Sequence, residues 1–313
     1  MKILKPKFWD KSIGFFSIIF LPLTILIIFL VFIKKKLGKY RKFDIPIICV
    51  GNIYVGGTGK TPLTVIISNM IKNKGKNPVI VRKYYRKHKD EHYLLKENFK
   101  NVILNKNRSM AIEEAVTQKF DCAVLDDGFQ DYEIKKDLNI ICFNQNQLIG
   151  NGLVFPSGPL RETLKSIKYA QIVMINGEKD ENFEKKILKI NKSLKIYYSL
   201  YEPLNIKEFK EKKLLAFAGI GNPTNFFKLL EKQKLNVEKK FSYPDHYDFK
   251  KNEISNIVNY AKNHNLEIIT TEKDFFKVKK YNFKEIKYLI VDLKIEKEEE
   301  FLNHILKIYD KDN

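Results

Sequence analysis

A chain of 313 residues with 44% hydrophobic and 30% charged residues has enough apolar material for one large or two ordinary domains, which excludes the disordered and collagen-like classes. Its three cysteines, each in a β-rich apolar setting (IICVG, DCAVL, IICFN), are too few for a disulfide scaffold and predict buried thiols in a reducing compartment. The net charge of +20 comes from 52 Lys and only 5 Arg spread along the chain; a nucleic-acid reader would cluster Arg for base contacts, so the excess reads as solvated surface and attraction to an anionic membrane, with no nucleic-acid partner.

Residues 13–33, IGFFSIIFLPLTILIIFLVFI, are 21 residues without a charge. As one helix they would span about 31 Å, the thickness of a bilayer core. No small-residue cleavage site follows, and no polar face is present, so neither a signal peptide nor an interfacial helix is the expectation. The run predicts a membrane anchor within residues 1–37, kinked at Pro22. Lys34, Lys35, Lys36, Lys39, Arg41 and Lys42 follow it, against Lys2, Lys5, Lys7 and Lys11 before it. That asymmetry places the body on the cytoplasmic face, although basic flanks on both sides leave a shallow re-entrant insertion open.

The strongest chemical signal is IPIICVGNIYVGGTGKTPLTVIISNMI, residues 45–71. An apolar strand over 45–50 enters a glycine-rich turn, and a helix follows with Leu63, Ile66, Ile67 and Met70 on one face. Strand, glycine loop and helix form the context of a phosphate-binding loop. Main-chain N–H groups of Gly56, Gly57, Thr58 and Gly59 would wrap the phosphates, Lys60 would reach the terminal ones, and the Thr61 hydroxyl would ligate Mg²⁺. The strict pattern G-x-x-x-x-G-K-[ST] asks for Gly at position 54, where this chain has Tyr54. Further on, CAVLDDGFQD (122–131) is a strand ending in Asp126-Asp127-Gly128, and paired carboxylates there suit the metal of a nucleoside triphosphate. The residues alone therefore predict ATP and Mg²⁺ binding with splitting or transfer of the γ-phosphoryl group.

Four later blocks stand out: LVFPSGPLRETL (153–164) with Arg161 and Glu162, AFAGIGNPTNFFKLL (216–230), FSYPDHYDF (241–249) with His246, and the strand IITTEKDFFKV (268–278) ending in Thr-Glu-Lys-Asp. Together with VGNIYVGGTGKTP and VLDDGFQ, in this order from residue 50 to residue 274, they resemble the tetraacyldisaccharide 4'-kinase family of lipid A biosynthesis. The resemblance implies ATP-dependent phosphorylation of the 4'-hydroxyl of a tetraacylated glucosamine disaccharide 1-phosphate, at the cytoplasmic face of a bacterial inner membrane and without an obligate protein partner. It also implies a general base, which falls on Asp90 in HKDEHYLL, oriented by His246. Arg161 is placed by it at the phosphates, and Glu91 and Glu162 at the metal. The chain departs from the family in three places. Val81-Arg82-Lys83-Tyr84 stands for Ser-Arg-Gly-Tyr; Asp90 is flanked by Lys89 and, after Glu91, by His92 in place of Gly and Pro; and Asp131 stands for a His.

Strand patterns over 45–51, 78–82, 101–104, 122–126, 138–143, 170–175, 195–201, 214–218, 267–271 and 286–292 alternate with helical patterns over 60–74, 109–118, 180–192, 223–233, 250–264 and 296–309. The predicted fold is α/β: a mostly parallel P-loop sheet over 38–205, a smaller α/β domain over 206–313 and the N-terminal membrane helix, with the active site in a cleft. His88, His92, His264 and His304 are expected at the surface. Two rival functions share the loop: a membrane-anchored P-loop NTPase working as switch or motor without a lipid acceptor, and a nucleic-acid-stimulated NTPase with steep salt dependence.

Overall fold

The computed structural model describes residues 6–86, 89–245 and 247–312, without the side chains of 89, 90, 311 and 312. The uncharged N-terminal run is interrupted next to Pro22, where a kink is expected, and the interruption is complete. It divides into α1 (Phe15–Ile19) and α2 (Leu21–Leu37) at Phe20. Pro22 is the physical cause: it has no N–H to give to Ile18, so it opens a new helix, where its fixed φ is favourable. The 17 residues of α2 reach about 26 Å, and the last turn is Lys34-Lys35-Lys36. Among the described residues no helix is long and apolar enough to cross a membrane, which corrects the spanning-anchor expectation.

The faces of these two helices are inverted. Their buried residues are polar, Ser17 and Thr24. The Thr24 hydroxyl donates to Ser157 Oγ at 2.9 Å and accepts from the Ser157 N–H at 3.1 Å, and Asn151 donates to Ser17 Oγ at 3.2 Å. Phe15, Phe16, Ile18, Ile25, Phe29 and Phe32 are exposed instead.

The chain then winds β1 (Ile47–Gly51), α3 (Lys60–Asn73), β2 (Pro78–Lys83), α4 (Lys89–Asn98), β3 (Val102–Asn105), α5 (Arg108–Thr117), β4 (Cys122–Asp126), β5 (Leu138–Asn144), β6 (Ile172–Asn176), α6 (Glu181–Leu188) and β7 (Lys195–Pro203). β8 (Lys213–Ala218), α7 (Pro223–Lys232), β9 (Asn236–Ser242), α8 (Lys251–Asn263), β10 (Glu267–Thr271), α9 (Glu272–Val278), β11 (Ile286–Leu289), β12 (Val291–Ile295) and α10 (Glu298–Leu306) complete it. The large sheet has the order β12-β7-β6-β5-β1-β4-β2-β3, and the pairings from β7 to β3 are parallel. β1 and β4 are buried at every position, as central parallel strands covered on both faces must be. Cys49, Cys122 and Cys142 are free and buried within this sheet, as expected.

Two compact units result. Among the described residues, the first holds 6–84, 98–200 and 293–312; the second holds 85–97 and 201–292. The second unit is built on the parallel sheet β11-β10-β8-β9. Its core includes Phe217, Phe249, Ile254 and Ile268 on one side of the sheet and Phe209, Phe226, Phe227 and Leu230 on the other. β9 and the helices α4 and α9 are elements that the sequence pattern did not predict. His92, expected at the surface, is buried in α4.

Candidate active site

Strand register assembles the site. Val50 of β1 and Arg82 of β2 both lie opposite Asp126 of β4, so three carboxyl-terminal strand ends come level. This is where an open parallel sheet offers a ligand crevice. Residues 52–59 connect β1 to α3. Gly59 caps α3 with φ +87°, a left-handed conformation that glycine adopts without strain, and the helix then opens on Lys60 and Thr61. The loop is stapled from within: the Asn52 side-chain amide donates to Gly56 O at 3.2 Å and to Thr58 Oγ1 at 3.0 Å. Thr58 is thus buried, its hydroxyl taken up by Asn52.

Tyr54, the departure from the strict glycine pattern, is a core residue. It is fully buried, in one cluster with Ile53, Val154 and Leu160. The 153–164 block lies beside it, with Tyr54 and Leu160 forming an antiparallel bridge. Val55 N–H donates to Pro159 O at 2.8 Å and Arg161 N–H to Ile53 O at 2.7 Å. Gly158 is required by the tight fold of this block on itself, because a Cβ there would sit 2.1 Å from Asn151 Oδ1 and 2.4 Å from Leu153 O. The Pro-Ser-Gly-Pro run therefore braces the phosphate loop and delivers Arg161 to it.

The charged groups then meet. The Thr61 hydroxyl donates to Asp126 Oδ2 at 3.1 Å, and Arg82 pairs with the same oxygen. Lys60 Nζ stands 3.7 Å and Arg161 Nη1 2.8 Å from Asp127 Oδ1. Burial alone would raise the Asp127 carboxyl, but the charges of Lys60 and Arg161 outweigh it and hold the group well below the usual carboxylate range. Arg161 also donates to Gln130 Oε1 at 3.2 Å, and Gln130 donates to Asn52 O at 2.9 Å and Glu162 Oε1 at 3.1 Å. Glu162 accepts from Ser166 at 2.7 Å and pairs with Lys35 of α2. Burial works against its ionisation, but the Lys35 contact prevails and keeps the carboxyl lowered.

The turn bearing the two aspartates is held by cations from behind. Arg108, buried at the start of α5, donates to the Asp126 and Asp127 carbonyls at 3.0 Å each and pairs with Asp131. Lys136 donates to the carbonyls of Phe129 at 3.1 Å and Asp131 at 2.7 Å. Asp131, where the resembled family has His, thus balances the Arg108 charge.

The donor set fits Mg²⁺. Thr61 and Asp126 supply two hard oxygens in contact, and Asp126 Oδ1 is a buried atom with no hydrogen-bond partner. Among the described residues no cluster of three or more His, Cys, Asp or Glu could hold a metal. Of the other metal candidates, Asp127 lies beside this pair with Lys60 and Arg161, and Glu162 is occupied by Lys35, Ser166 and Gln130. Glu91 belongs to the second unit, where it pairs with Lys273 at 3.2 Å. Asp90 lies in the first turn of α4 but its side chain lies outside the described residues, as do His88 and His246 entirely. Arg82, Arg108 and Gln130 are the site residues that the sequence reading did not select. Scarcity was the available signal, since three of only five arginines meet here.

Comparison with known proteins places the whole chain in one family. A family profile described as Tetraacyldisaccharide-1-P 4'-kinase matches residues 16–310. The tetraacyldisaccharide 4'-kinase of Pelagibacter ubique is 40% identical over 99% of this chain and 100% of its own length. That of Bartonella quintana is 30% identical over 98% and 95% respectively. The fold is similar to the crystal structure of LpxK from Aquifex aeolicus in complex with ATP, with a TM-score of 0.73 at 24% identity over 94% of this chain and 99% of that one. The chain belongs to the tetraacyldisaccharide-1-phosphate 4'-kinase family.

Proposed function

We propose that this chain transfers the γ-phosphoryl group of ATP to the 4'-hydroxyl of a tetraacylated glucosamine disaccharide 1-phosphate. The observation that carries the reading is the convergence of Lys60, Thr61, Asp126, Asp127 and Arg161 at level strand ends, in a chain of this family. Main-chain N–H groups over 56–61 and the amino end of α3 hold the phosphates. Lys60 and Arg161 exchange their contact with Asp127 for the charge that moves to the leaving oxygen. Thr61 and Asp126 would hold Mg²⁺, which when bound would neutralise phosphate charge. The sugar 4'-oxygen forms the new bond to the γ-phosphorus, the bond from that phosphorus to the β,γ-bridging oxygen breaks, and ADP departs. In this reading Asp90 accepts the hydroxyl proton and His246 is the residue that orients it.

The inverted faces of α1 and α2 support a membrane surface as the place of action. A helix that hides Ser17 and Thr24 and exposes Phe15, Phe16, Phe29 and Phe32 is suited to the acyl boundary of a bilayer, with the basic run from Lys34 at the headgroups. In this reading the body lies on the cytoplasmic face of the inner membrane, where enzyme and four-chain substrate share one surface. The test is incubation of the purified chain with Mg–ATP and the acylated disaccharide 1-phosphate in mixed micelles. Mass spectrometry should find one added phosphoryl group at the 4' position, lost in Lys60→Ala and Asp90→Asn. An unmodified lipid would reject the proposal.

A further inference from the structure

The Thr-Glu-Lys-Asp run has no role in the mechanism above, and its residues divide between two tasks. Thr271 caps α9, its hydroxyl accepting from the Asp274 N–H at 3.1 Å. Asp274 is fully buried; it accepts from the Gly219 N–H at 2.7 Å and pairs with Lys277 at 2.7 Å, so it secures the turn after β8. Lys273 is engaged elsewhere. Its ammonium stands 3.2 Å from Glu91 Oε1 and 3.2 Å from Asp245 Oδ1, carboxylates 182 and 28 positions away in sequence.

These contacts join separate pieces of one unit. Residues 85–97 are a short excursion, and the chain on either side of them belongs to the other unit. α9 meets the α4 excursion through two residues three apart, and thus on one face: Lys273 on Glu91, and Phe276 against the Tyr93 ring at 4.9 Å. The side chains of Lys273 and Glu91 are 16% and 19% exposed, so water screens the pair less than a surface one. Glu91 adjoins Asp90, and Asp245 adjoins His246.

We propose that Lys273 is a positioning residue for the transfer step, one ammonium fixing the first turn of α4, which carries Asp90, against the segment that carries Asp245. The inference rests on the reading of Asp90 as the general base. Without the ammonium, Glu91 and Asp245 lose the counter-charge they share. A displacement of a reacting group by about 1 Å costs about 10²-fold in rate.

The test uses the full chain and steady-state kinetics. Lys273→Met keeps most of the side-chain length and removes the charge. Its kcat should fall by about 10–100-fold with the KM for ATP unchanged, since residues 56–61 lie in the other unit. Lys273→Arg should restore most of the loss. Asp245→Asn, at a more exposed position, removes one arm of the clamp and should give a smaller fall in kcat even if Lys273→Met fails to fold. Wild-type kcat in both Lys273→Met and Asp245→Asn would overturn the inference. A loss that tracks the folded fraction by circular dichroism, and that Arg does not restore, would overturn it as well. Asp90→Asn is run in parallel. Near-normal turnover there removes the base assignment and this inference with it; an inactive Asp90→Asn beside a fully active Lys273→Met removes the Lys273 inference alone.

Discussion

Replacing Tyr54 by Gly would bring the loop into line with the strict G-x-x-x-x-G-K-T pattern, yet the structure predicts damage. The Tyr54 ring is fully buried against Ile53, Val154 and Leu160, and the segment beside it pairs with Pro159 and Arg161. Removing a buried aromatic ring costs about 3–5 kcal/mol, and the added glycine increases the freedom of the unfolded chain. A loss of that size lowers Tm by roughly 6–20 °C in a domain of this length. Freed from its brace, the loop should also bind ATP about tenfold more weakly, equivalent to about 1.4 kcal/mol. Tyr54→Phe separates ring from hydroxyl. It keeps the packing and loses the bond to Asp10 at 3.3 Å, so it should cost only about 1 kcal/mol. Differential scanning calorimetry and isothermal titration with ATP measure both effects. A Tyr54→Gly chain with unchanged Tm and equal or tighter ATP binding would refute the assignment of Tyr54 to the core.

Other perturbations follow from the same geometry. Lys60→Ala should lower kcat by about 10²–10³-fold, measured by ADP release in the presence of the lipid, because one preorganised cation is lost. The Asp127 carboxyl is depressed in the folded chain, so its stabilising contribution is complete above the ordinary aspartate value and disappears as the pH falls through the lower folded one. The difference in unfolding midpoint between wild type and Asp127→Asn should accordingly be flat from pH 8 to 5 and shrink below about pH 4; a difference that grows with acid would contradict the ion-pair assignment. Burial pushes the thiols of Cys49 up to about 11 and of Cys122 and Cys142 up to about 12, so a thiol reagent at pH 8 should label none of them in the folded chain and all three in denaturant. Leu26→Asp with Phe29→Asp, on the exposed face of α2, should cut co-sedimentation with anionic vesicles while leaving ATP binding intact.

Local patterns were readable in the sequence where one segment supplies the chemistry. Lys60 and Thr61 follow their strand and turn directly, and Asp126 and Asp127 end an apolar run, so no knowledge of strand order was needed. Arg82 becomes a site residue only because β2 lies next to β4, and Arg108 only because α5 begins behind the Asp126–Asp127 turn; neither neighbour is near in sequence. β9, NVEKKFS, is an edge strand with alternating partial burial and few apolar residues, so it lacked the hydrophobic run that marked the others. α9 carried a readable sign, the T-x-x-D spacing of a helix cap, which the apolar strand before it obscured. The N-terminal run misled for a different reason. Pro22 announces a kink, but the missing N–H divides the run into two helices, each shorter than a bilayer core, and polar Ser17 and Thr24 face the protein.

The stoichiometry of ATP use tests the central claim most directly. Purified chain with Mg–ATP should release almost no ADP alone. With the acylated disaccharide 1-phosphate present, it should release one ADP for each lipid phosphorylated at the 4' position. Equal ADP release with and without the lipid, and no phosphorylated product, would contradict the account.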